Sequence, residues 1–165
     1  MATVIYKVDD DISTDVIYPG RFMATVLPTE TPLLAFADDA EFNAKLKSRQ
    51  IPPGSVLLGG QNFGCGSSRE QAVSCLKGHE LVIVARSFAR IFLQNAINLG
   101  LRVVSCPTIE ANLGDELEIT VAAVLNRSSG KDFPVIALPK SRQAIIDAGG
   151  LIPYNRQRVL DTVPI

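Results

Sequence analysis

The chain has 165 residues, of which 47% are hydrophobic and 20% are charged. A chain of this length buries roughly two thirds of the surface that its unfolded form exposes, so we predict one domain spanning residues 1–165. Its formal net charge of −1, from 16 basic and 17 acidic residues, excludes the basic surface typical of nucleic-acid binding. No apolar run reaches the ~20 residues of a membrane span and no signal peptide is recognisable, so we expect a cytoplasmic protein without membrane association.

The three cysteines predict neither a disulfide framework nor a metal site within this chain. Cys65, Cys75 and Cys106 are odd in number and stand at neither CxxC nor Cys/His spacing. We therefore expect reduced thiols and no metal ligands among them. His79 is the only histidine. It follows a predicted helix end, and we interpret it as structural rather than catalytic.

The first third of the chain predicts one strand, two connections and one helix. Residues 3–8 have the composition of a strand, and the acidic, turn-rich residues 9–15 predict a loop. Residues 21–32 combine threonines and prolines without periodicity, which predicts a long exposed connection. Residues 38–49 predict a surface helix that ends before the Pro-Pro-Gly of residues 52–54.

The middle of the chain alternates short apolar runs with segments of helical periodicity. The apolar runs are residues 55–59, 81–84 and 101–104, and the periodic segments are residues 67–77 and 87–98. Such alternation is typical of parallel strands joined by helical crossovers, so we predict an α/β fold. The spacing of Ser67 and Glu70 predicts a capping box at the first of these helices, and Gly78 and Gly100 are expected to follow the two helix ends.

The pattern changes in the last third of the chain. Residues 116–121 alternate polar and apolar side chains, and residues 133–138 are predicted to pair with them as a hairpin-like arm. This arm predicts an antiparallel layer separate from the parallel strands. Residues 140–148 predict a helix that ends at Gly149 and Gly150.

A glycine-rich loop joins the strand at residues 55–59 to the helix that follows it. The loop reads Gly60-Gln-Asn-Phe-Gly-Cys-Gly66 and is followed by Ser67, Ser68 and Arg69. Unpaired N–H groups at a helix N-terminus favour an anion, and an arginine fork binds carboxylate or phosphate equally well. The glycine spacing fits neither a P-loop nor GxGxxG, which disfavours a nucleotide. A purely structural alternative is that Ser67 caps the helix while Arg69 faces solvent.

Residues 60–72, Gly-Gln-Asn-Phe-Gly-Cys-Gly-Ser-Ser-Arg-Glu-Gln-Ala, closely resemble the signature of the aconitase swivelling domain, especially in isopropylmalate dehydratase small subunits. Residues 11–20, 85–101 and 149–154 are similar to further segments of the same family. Together these segments cover essentially the whole chain. The resemblance implies a three-layer β/β/α swivelling domain with a mostly parallel central sheet.

The resemblance also implies a hydro-lyase that interconverts 2- and 3-isopropylmalate by dehydration and rehydration in leucine biosynthesis. In this family a [4Fe–4S] cluster acts as a Lewis acid and is bound by a different domain. We therefore expect the cluster on a partner large subunit and no cofactor bound by this chain alone. The expected ligand is a small hydroxy-diacid, and the isolated subunit is a possible homo-oligomer because its partner surface would be exposed.

The matching positions of the motif imply roles for individual residues. Ser67 corresponds to the catalytic base, and Ser68 and Arg69 correspond to ligands of a substrate carboxylate. Asp15 matches a position that orients these groups, although an ordinary turn or N-cap aspartate is an equal alternative. Gly66 and Cys65 are expected to line the same site.

Substrate choice is expected to depend on the loop after Pro19. Relatives that bind a third carboxylate place an arginine there, whereas this chain has Phe22, Met23, Ala24 and Thr25. An unpaired carboxylate buried against these side chains would be unfavourable by several kcal/mol, which favours isopropylmalate. Arg21 leaves the question open. Citramalate, 2,3-dimethylmalate or a homoaconitate-type substrate remain alternatives, as does a non-catalytic anion-binding scaffold.

Overall fold

Four strands separated by one or two helices make up the first two thirds of the chain, and three further strands and two helices follow. The computed structural model describes residues 1–162. In chain order the elements are β1 (Ala2–Lys7), α1 (Thr14–Ile17), α2 (Ala40–Lys47), β2 (Val56–Gly59), α3 (Glu70–Gly78), β3 (Val82–Ala85), α4 (Arg90–Leu99), β4 (Val103–Ser105), β5 (Glu116–Ile119), β6 (Ala123–Asn126), β7 (Lys131–Pro134), α5 (Lys140–Asp147) and α6 (Leu151–Thr162).

The seven strands form one mixed sheet with the order β4-β3-β2-β1-β5-β6-β7. The pairs β1–β2, β2–β3 and β3–β4 are parallel, whereas β5, β6 and β7 are antiparallel to their neighbours. A bridge between Ser105 and Ile136 brings the chain after β7 back to the free edge of β4. The sheet therefore curls, and its antiparallel half folds over its parallel half.

Two apolar cores occupy the two faces of the parallel strands. Successive side chains of a strand point to opposite faces, so Leu57 of β2 packs among the helices while Val56 and Leu58 pack against the antiparallel strands. Leu117 and Val124 of those strands belong to the second core. Helices, parallel strands and antiparallel strands are thus stacked in three layers, which confirms the predicted fold class.

The predicted pairing of residues 116–121 with residues 133–138 was wrong. Strand β6 lies between β5 and β7 and pairs with both of them. The sequence prediction missed β6 because it has only four residues and shows little alternation. The antiparallel arm is also continuous with the parallel strands, since Ala2 and Thr3 of β1 pair with β5.

The predicted capping box at the glycine-rich loop was wrong as well. Helix α3 begins at Glu70 with Arg69 as its N-cap residue, and no side chain caps it. Gly78 is the last residue of α3 rather than the residue after it, and a Cβ there would lie 2.2 Å from Pro32. Close packing therefore explains this glycine. Gly100 ends α4 in the left-handed conformation, with φ of 75°, as predicted.

Two helices were not predicted. Helix α1 begins inside the expected loop, where the Ser13 hydroxyl accepts a hydrogen bond from Val16 N. Helix α6 follows Gly150 and contains Pro153. Because Pro153 lies in the first helical turn, where backbone N–H groups have no partner within the helix, it is tolerated there.

The long connection after α1 lies along α3. We call residues 20–34 the strap. Gln71 Nε2 donates a hydrogen bond to Met23 O at 3.3 Å, and Thr31 Oγ1 and Ser74 Oγ are hydrogen-bonded at 2.8 Å. The strap is therefore held at the start and in the middle of α3. Among residues 1–162, no helix is long and apolar enough to span a membrane.

Candidate functional site

The glycine loop (residues 60–69) runs beside the segment that follows β1. The backbone hydrogen bonds between them, each 2.8–3.1 Å long, are Asp11 N to Gln61 O, Gly64 N to Ile12 O, Cys65 N to Ile12 O and Thr14 N to Cys65 O. These bonds join parts of the chain about fifty residues apart. They place Asp15 and Arg69 on the same side of the molecule.

Glycine is required at two turns of this loop. Gly64 and Gly66 have φ of +78° and +87°, which side-chain-bearing residues rarely adopt. A Cβ on Gly64 would also lie 2.3 Å from the ring of Phe92 in α4. The two turns direct the chain from β2 across α4 to the N-terminus of α3, with Ser67 and Ser68 just before it.

Arg69 is fixed by the segment after β1 rather than pointing to solvent. Its Nη1 donates hydrogen bonds to Asp15 Oδ1 and, at 3.0 Å, to Tyr18 O. Only 15% of the Arg69 side chain is exposed, whereas 63% of Asp15 is exposed. The structure therefore lacks the solvent-facing arginine that the purely structural alternative required.

The carboxylate of Asp15 is electrostatically suited to hold this arginine. Its Oδ1 also accepts a hydrogen bond from Gly20 N at 2.8 Å. The hydrogen bonds from Arg69 and from the Gly20 backbone lower the pKa of Asp15 below its ordinary value. Asp15 is accordingly ionised near neutral pH and is unsuited to donate a proton. It is not the N-cap of α1, since that position belongs to Ser13.

Ser67 and Ser68 are exposed at the open end of the loop. Within residues 1–162, neither hydroxyl has a hydrogen-bond partner, and the backbone N–H groups of residues 66–70 donate to no protein acceptor. Consecutive unpaired N–H groups next to a helix N-terminus attract an anion. This arrangement offers a carboxylate several donors, with the Ser67 hydroxyl beside it.

Three of the four strap residues expected to set specificity are anchored by their backbone. The Tyr18 hydroxyl donates to Phe22 O at 3.3 Å and to Thr25 O at 3.2 Å, and Gln71 binds Met23 O. The side chains of Met23 and Ala24 are exposed. The backbone of this segment is therefore held beside the start of α3.

Arg21 is engaged away from these groups. Its Nη1 donates to Asp38 Oδ2 at 3.2 Å, its Nη2 donates to Asp38 Oδ1, and its guanidinium lies 4.5 Å from the ring centre of Phe22. A bidentate ion pair leaves this arginine fewer donors for a ligand.

The cysteines do not assemble into a cluster site. Cys75 lies in the core on the helical side and Cys106 in the core on the other face of the sheet. Burial raises the pKa of both thiols, to about 11 for Cys106. Cys65 is half-buried in the glycine loop, where its Sγ lies 3.1 Å from Asp11 O. In the described part of the chain, no three His, Cys, Asp or Glu side chains are placed to hold a metal ion.

Thr14 and Tyr18 belong to this site although the sequence did not predict them. The Thr14 hydroxyl donates to Ser67 O at 2.8 Å, and Tyr18 supplies its carbonyl oxygen to Arg69. Both residues lie in a segment that resembled the family, but a hydrogen bond spanning 53 positions leaves no local pattern.

The chain is similar to a family model, to curated proteins and to a solved structure. Residues 10–108 match the model of the aconitase C-terminal domain. A 3-isopropylmalate dehydratase small subunit from Methanosarcina mazei is 39% identical, over 93% of this chain and 95% of that protein. A 2,3-dimethylmalate dehydratase small subunit from Eubacterium barkeri is 38% identical, over 91% of this chain and 93% of that protein. The crystal structure of a 3-isopropylmalate dehydratase from Methanocaldococcus jannaschii superposes on this chain with a TM-score of 0.86 at 36% identity. The superposition covers 96% of this chain and 95% of that one.

Proposed function

Because the chain belongs to the aconitase C-terminal domain family, we propose that it is the small subunit of a hydro-lyase that interconverts 2- and 3-isopropylmalate. The observation that carries the proposal is the arrangement of three consecutive residues. The Ser67 hydroxyl is exposed beside Ser68, and Arg69 is oriented by Asp15. This set provides one group for proton transfer and several donors for a carboxylate.

In this proposal Ser67, as the alkoxide, removes the proton from the carbon next to the hydroxyl-bearing carbon, and the hydroxyl leaves with its bonding electrons as hydroxide. Hydroxide then adds to the carbon that lost the proton, and Ser67 returns its proton to the carbon that lost the hydroxyl, which completes the isomerisation. A serine hydroxyl is a very weak acid, so its alkoxide must be stabilised. The free N–H groups of residues 66–70 and the N-terminus of α3 supply positive potential there.

Ser68, Gly66 and Arg69 are proposed to bind a substrate carboxylate. The Arg69 guanidinium already shares one nitrogen with Asp15 and Tyr18, so its other nitrogen groups remain to form a charge-assisted hydrogen bond. Cys65 is proposed to line the site beside them. The carboxylate thereby holds the substrate with its acidic carbon near Ser67.

We further propose that a large-subunit partner carries a [4Fe–4S] cluster, which supplies the Lewis acid for the leaving hydroxyl. Two observations support a partner. Relatives are named small subunits, and the candidate site is open at Ser67 and Ser68. The described chain also has three cavities of about 690, 700 and 610 Å³, but neither Ser67 nor Ser68 lines any of these three. Cytoplasmic location and self-association of the isolated subunit stay predictions.

The preference for isopropylmalate rests on residues 22–25 of the strap. Phe22, Met23, Ala24 and Thr25 offer no positive charge for a third carboxylate, and Arg21 is paired with Asp38. The second candidate substrate is 2,3-dimethylmalate, favoured by the similarly close relative that carries this name. Citramalate would make the same carboxylate contacts.

The test is co-expression with the large subunit encoded in the same genome, followed by anaerobic cluster reconstitution. The absorbance of the unsaturated intermediate is followed with isopropylmalate, 2,3-dimethylmalate and citramalate. Ser67→Ala is expected to lower kcat by about a thousandfold, since a positioned proton-transfer group contributes 10²- to 10⁴-fold. Ser68→Ala, the matched control, should mainly raise KM. Activity retained in Ser67→Ala would assign the base elsewhere, and turnover of another malate alone would change the substrate.

A further inference from the structure

Thr14 is one of the few buried polar residues of the protein, and it contacts the proposed base directly. Its relative exposure is 3%, and its Oγ1 donates a hydrogen bond of 2.8 Å to Ser67 O. Its backbone N–H donates to Cys65 O at 2.9 Å. A single residue therefore holds two carbonyl groups of the glycine loop, one two residues before the proposed base and one at the base itself.

The hydroxyl contact fixes the orientation of one peptide group. In a trans peptide the carbonyl and the following N–H point in opposite directions within one plane. When Ser67 O faces Thr14, the N–H of Ser68 must face away from Thr14, on the open side of the loop. This N–H is among the groups that have no protein acceptor in residues 1–162.

The preceding backbone does not fix this orientation by itself. Gly66 has φ of +87° and no side chain, and a Cβ on it would meet nothing closer than Ser13 Cβ at 3.7 Å and Thr14 Oγ1 at 3.8 Å. Glycine also has more accessible backbone conformations than other residues. The Ser67 peptide thus follows a flexible position and depends on the Thr14 hydroxyl for its direction.

We infer that Thr14 is a positioning residue, whose buried hydroxyl orients the Ser67–Ser68 peptide so that the Ser67 side chain and the Ser68 N–H face the substrate. This inference rests on the proposed function, in which Ser67 is the base. Proton transfer requires the base close to the reacting carbon, and a displacement of about 1 Å can lower the rate by about a hundredfold.

Thr31 provides a matched control. It is also buried, with 0% exposure, and its Oγ1 forms a hydrogen bond of the same 2.8 Å length with Ser74 Oγ, in the middle of α3 rather than in the glycine loop. Thr→Val keeps the branched shape and removes the hydroxyl at either position. Thr14→Val and Thr31→Val should therefore lower the urea midpoint of unfolding by similar amounts.

The experiment compares Thr14→Val, Thr14→Ser and Thr31→Val in the complex with the large subunit. We expect Thr14→Val to lower kcat by at least about tenfold with KM changed less than about threefold, because the loss concerns the chemical step. Thr14→Ser should restore kcat to within about threefold of wild type by keeping the donor. Thr31→Val should leave kcat unchanged, because Thr31 lies outside residues 22–25 and its hydroxyl contacts α3 rather than the glycine loop.

The outcomes separate this inference from the function on which it rests. If Ser67→Ala abolishes turnover while Thr14→Val matches Thr31→Val in kcat, the positioning role is wrong and the base assignment stands. A loss of kcat in Thr14→Val that serine does not restore would also overturn the inference. Full activity of Ser67→Ala would overturn the proposed base itself.

Discussion

At the scale of single residues, the candidate site depends on the ion pair between Arg69 and Asp15. Arg69 is mostly buried, and its two protein acceptors are Asp15 Oδ1 and Tyr18 O. Asp15 is in turn held by Gly20 N. The carboxylate therefore fixes where the guanidinium lies before any ligand arrives, which reduces the ordering that binding requires.

Asp15→Asn is expected to raise KM by about tenfold with a smaller effect on kcat, because a charge-assisted contact that orients Arg69 is lost. The lowered pKa of Asp15 sets the pH range of this effect. Because the pKa of Asp15 is lowered, its carboxylate is ionised and holds Arg69 at every pH above the ordinary value of 3.8. This hold on Arg69 is lost as pH falls through the lowered pKa. Steady-state kinetics between pH 5 and pH 8 should accordingly show a constant ratio of KM between variant and wild type.

A role for Asp15 in the chemical step would give a different kinetic result. A variant with wild-type KM and a much lower kcat would mean that Asp15 acts in the chemical step rather than in holding Arg69. Arg69→Lys tests the same contact from the other partner, since lysine keeps the charge but cannot donate through a planar fork.

At the scale of elements, Asp39 joins the first strand to the first long helix. It is the N-cap of α2, where its Oδ1 accepts from Phe42 N at 2.9 Å, and its Oδ2 accepts from the Tyr6 hydroxyl of β1 at 2.5 Å. The rings of Tyr6 and Phe42 are stacked 3.7 Å apart. One carboxylate thus satisfies the helix start and fixes its position against the sheet.

Asp39→Ala should lower the free energy of unfolding by about 1–2 kcal/mol, the usual effect of losing an N-cap. The hydrogen bond from Phe42 N–H, and next the one from the Tyr6 hydroxyl, lower the pKa of Asp39. Its contribution to the free energy of unfolding is therefore present above the ordinary value of 3.8 and is lost as pH falls through the lowered pKa. Urea unfolding at pH 7 and pH 3 should show a smaller difference between variant and wild type at pH 3.

The neighbouring aspartate provides the control for this measurement. Asp38 pairs with Arg21 on the surface, with 61% and 54% of the two side chains exposed. Because exposed ion pairs contribute little, Asp38→Ala should leave the unfolding midpoint nearly unchanged. Equal effects of the two substitutions would contradict the capping role of Asp39.

At the scale of the whole molecule, the candidate site lies beside an apolar surface. On the strap, 63% of Val26 and 53% of Leu27 are exposed, and no residue from Phe22 to Thr29 carries a charge. A partner that closes the site over Ser67 and Ser68 would lie next to this segment. The proposed large subunit is therefore expected to contact the strap.

Leu27→Asp should weaken the complex with the large subunit by at least about tenfold, since the interface would bury an unpaired charge. Leu27→Met should bind as wild type does. Ile152→Asp is the control, because Ile152 is 74% exposed on α6, next to the end of α4 that is farther from the glycine loop. Sedimentation of the purified chains measures binding without reference to activity. A larger effect from Ile152→Asp would assign the interface to α6.

The sequence by itself determined the fold class, the existence of strands β1 to β4 and the candidate Ser67–Arg69 motif. Periodicity and β-branched runs are local properties, so β2, β3 and α4 could be recognised from their own residues. Glycines 64 and 66 marked the turn because only their backbone readily adopts positive φ. The long family motif then assigned expected roles to these residues.

Only the tertiary structure decided which groups meet. The position of β6 between β5 and β7, the pairing of Asp15 with Arg69 and the bond from Thr14 to Ser67 all join distant parts of the chain. The capping-box pattern at Ser67 and Glu70 was a local signal that the fold did not use, because Thr14 holds the Ser67 peptide and α3 begins later. Local sequence patterns record the preferences of neighbouring residues, whereas these contacts form only when the sheet and its helices bring the segments together.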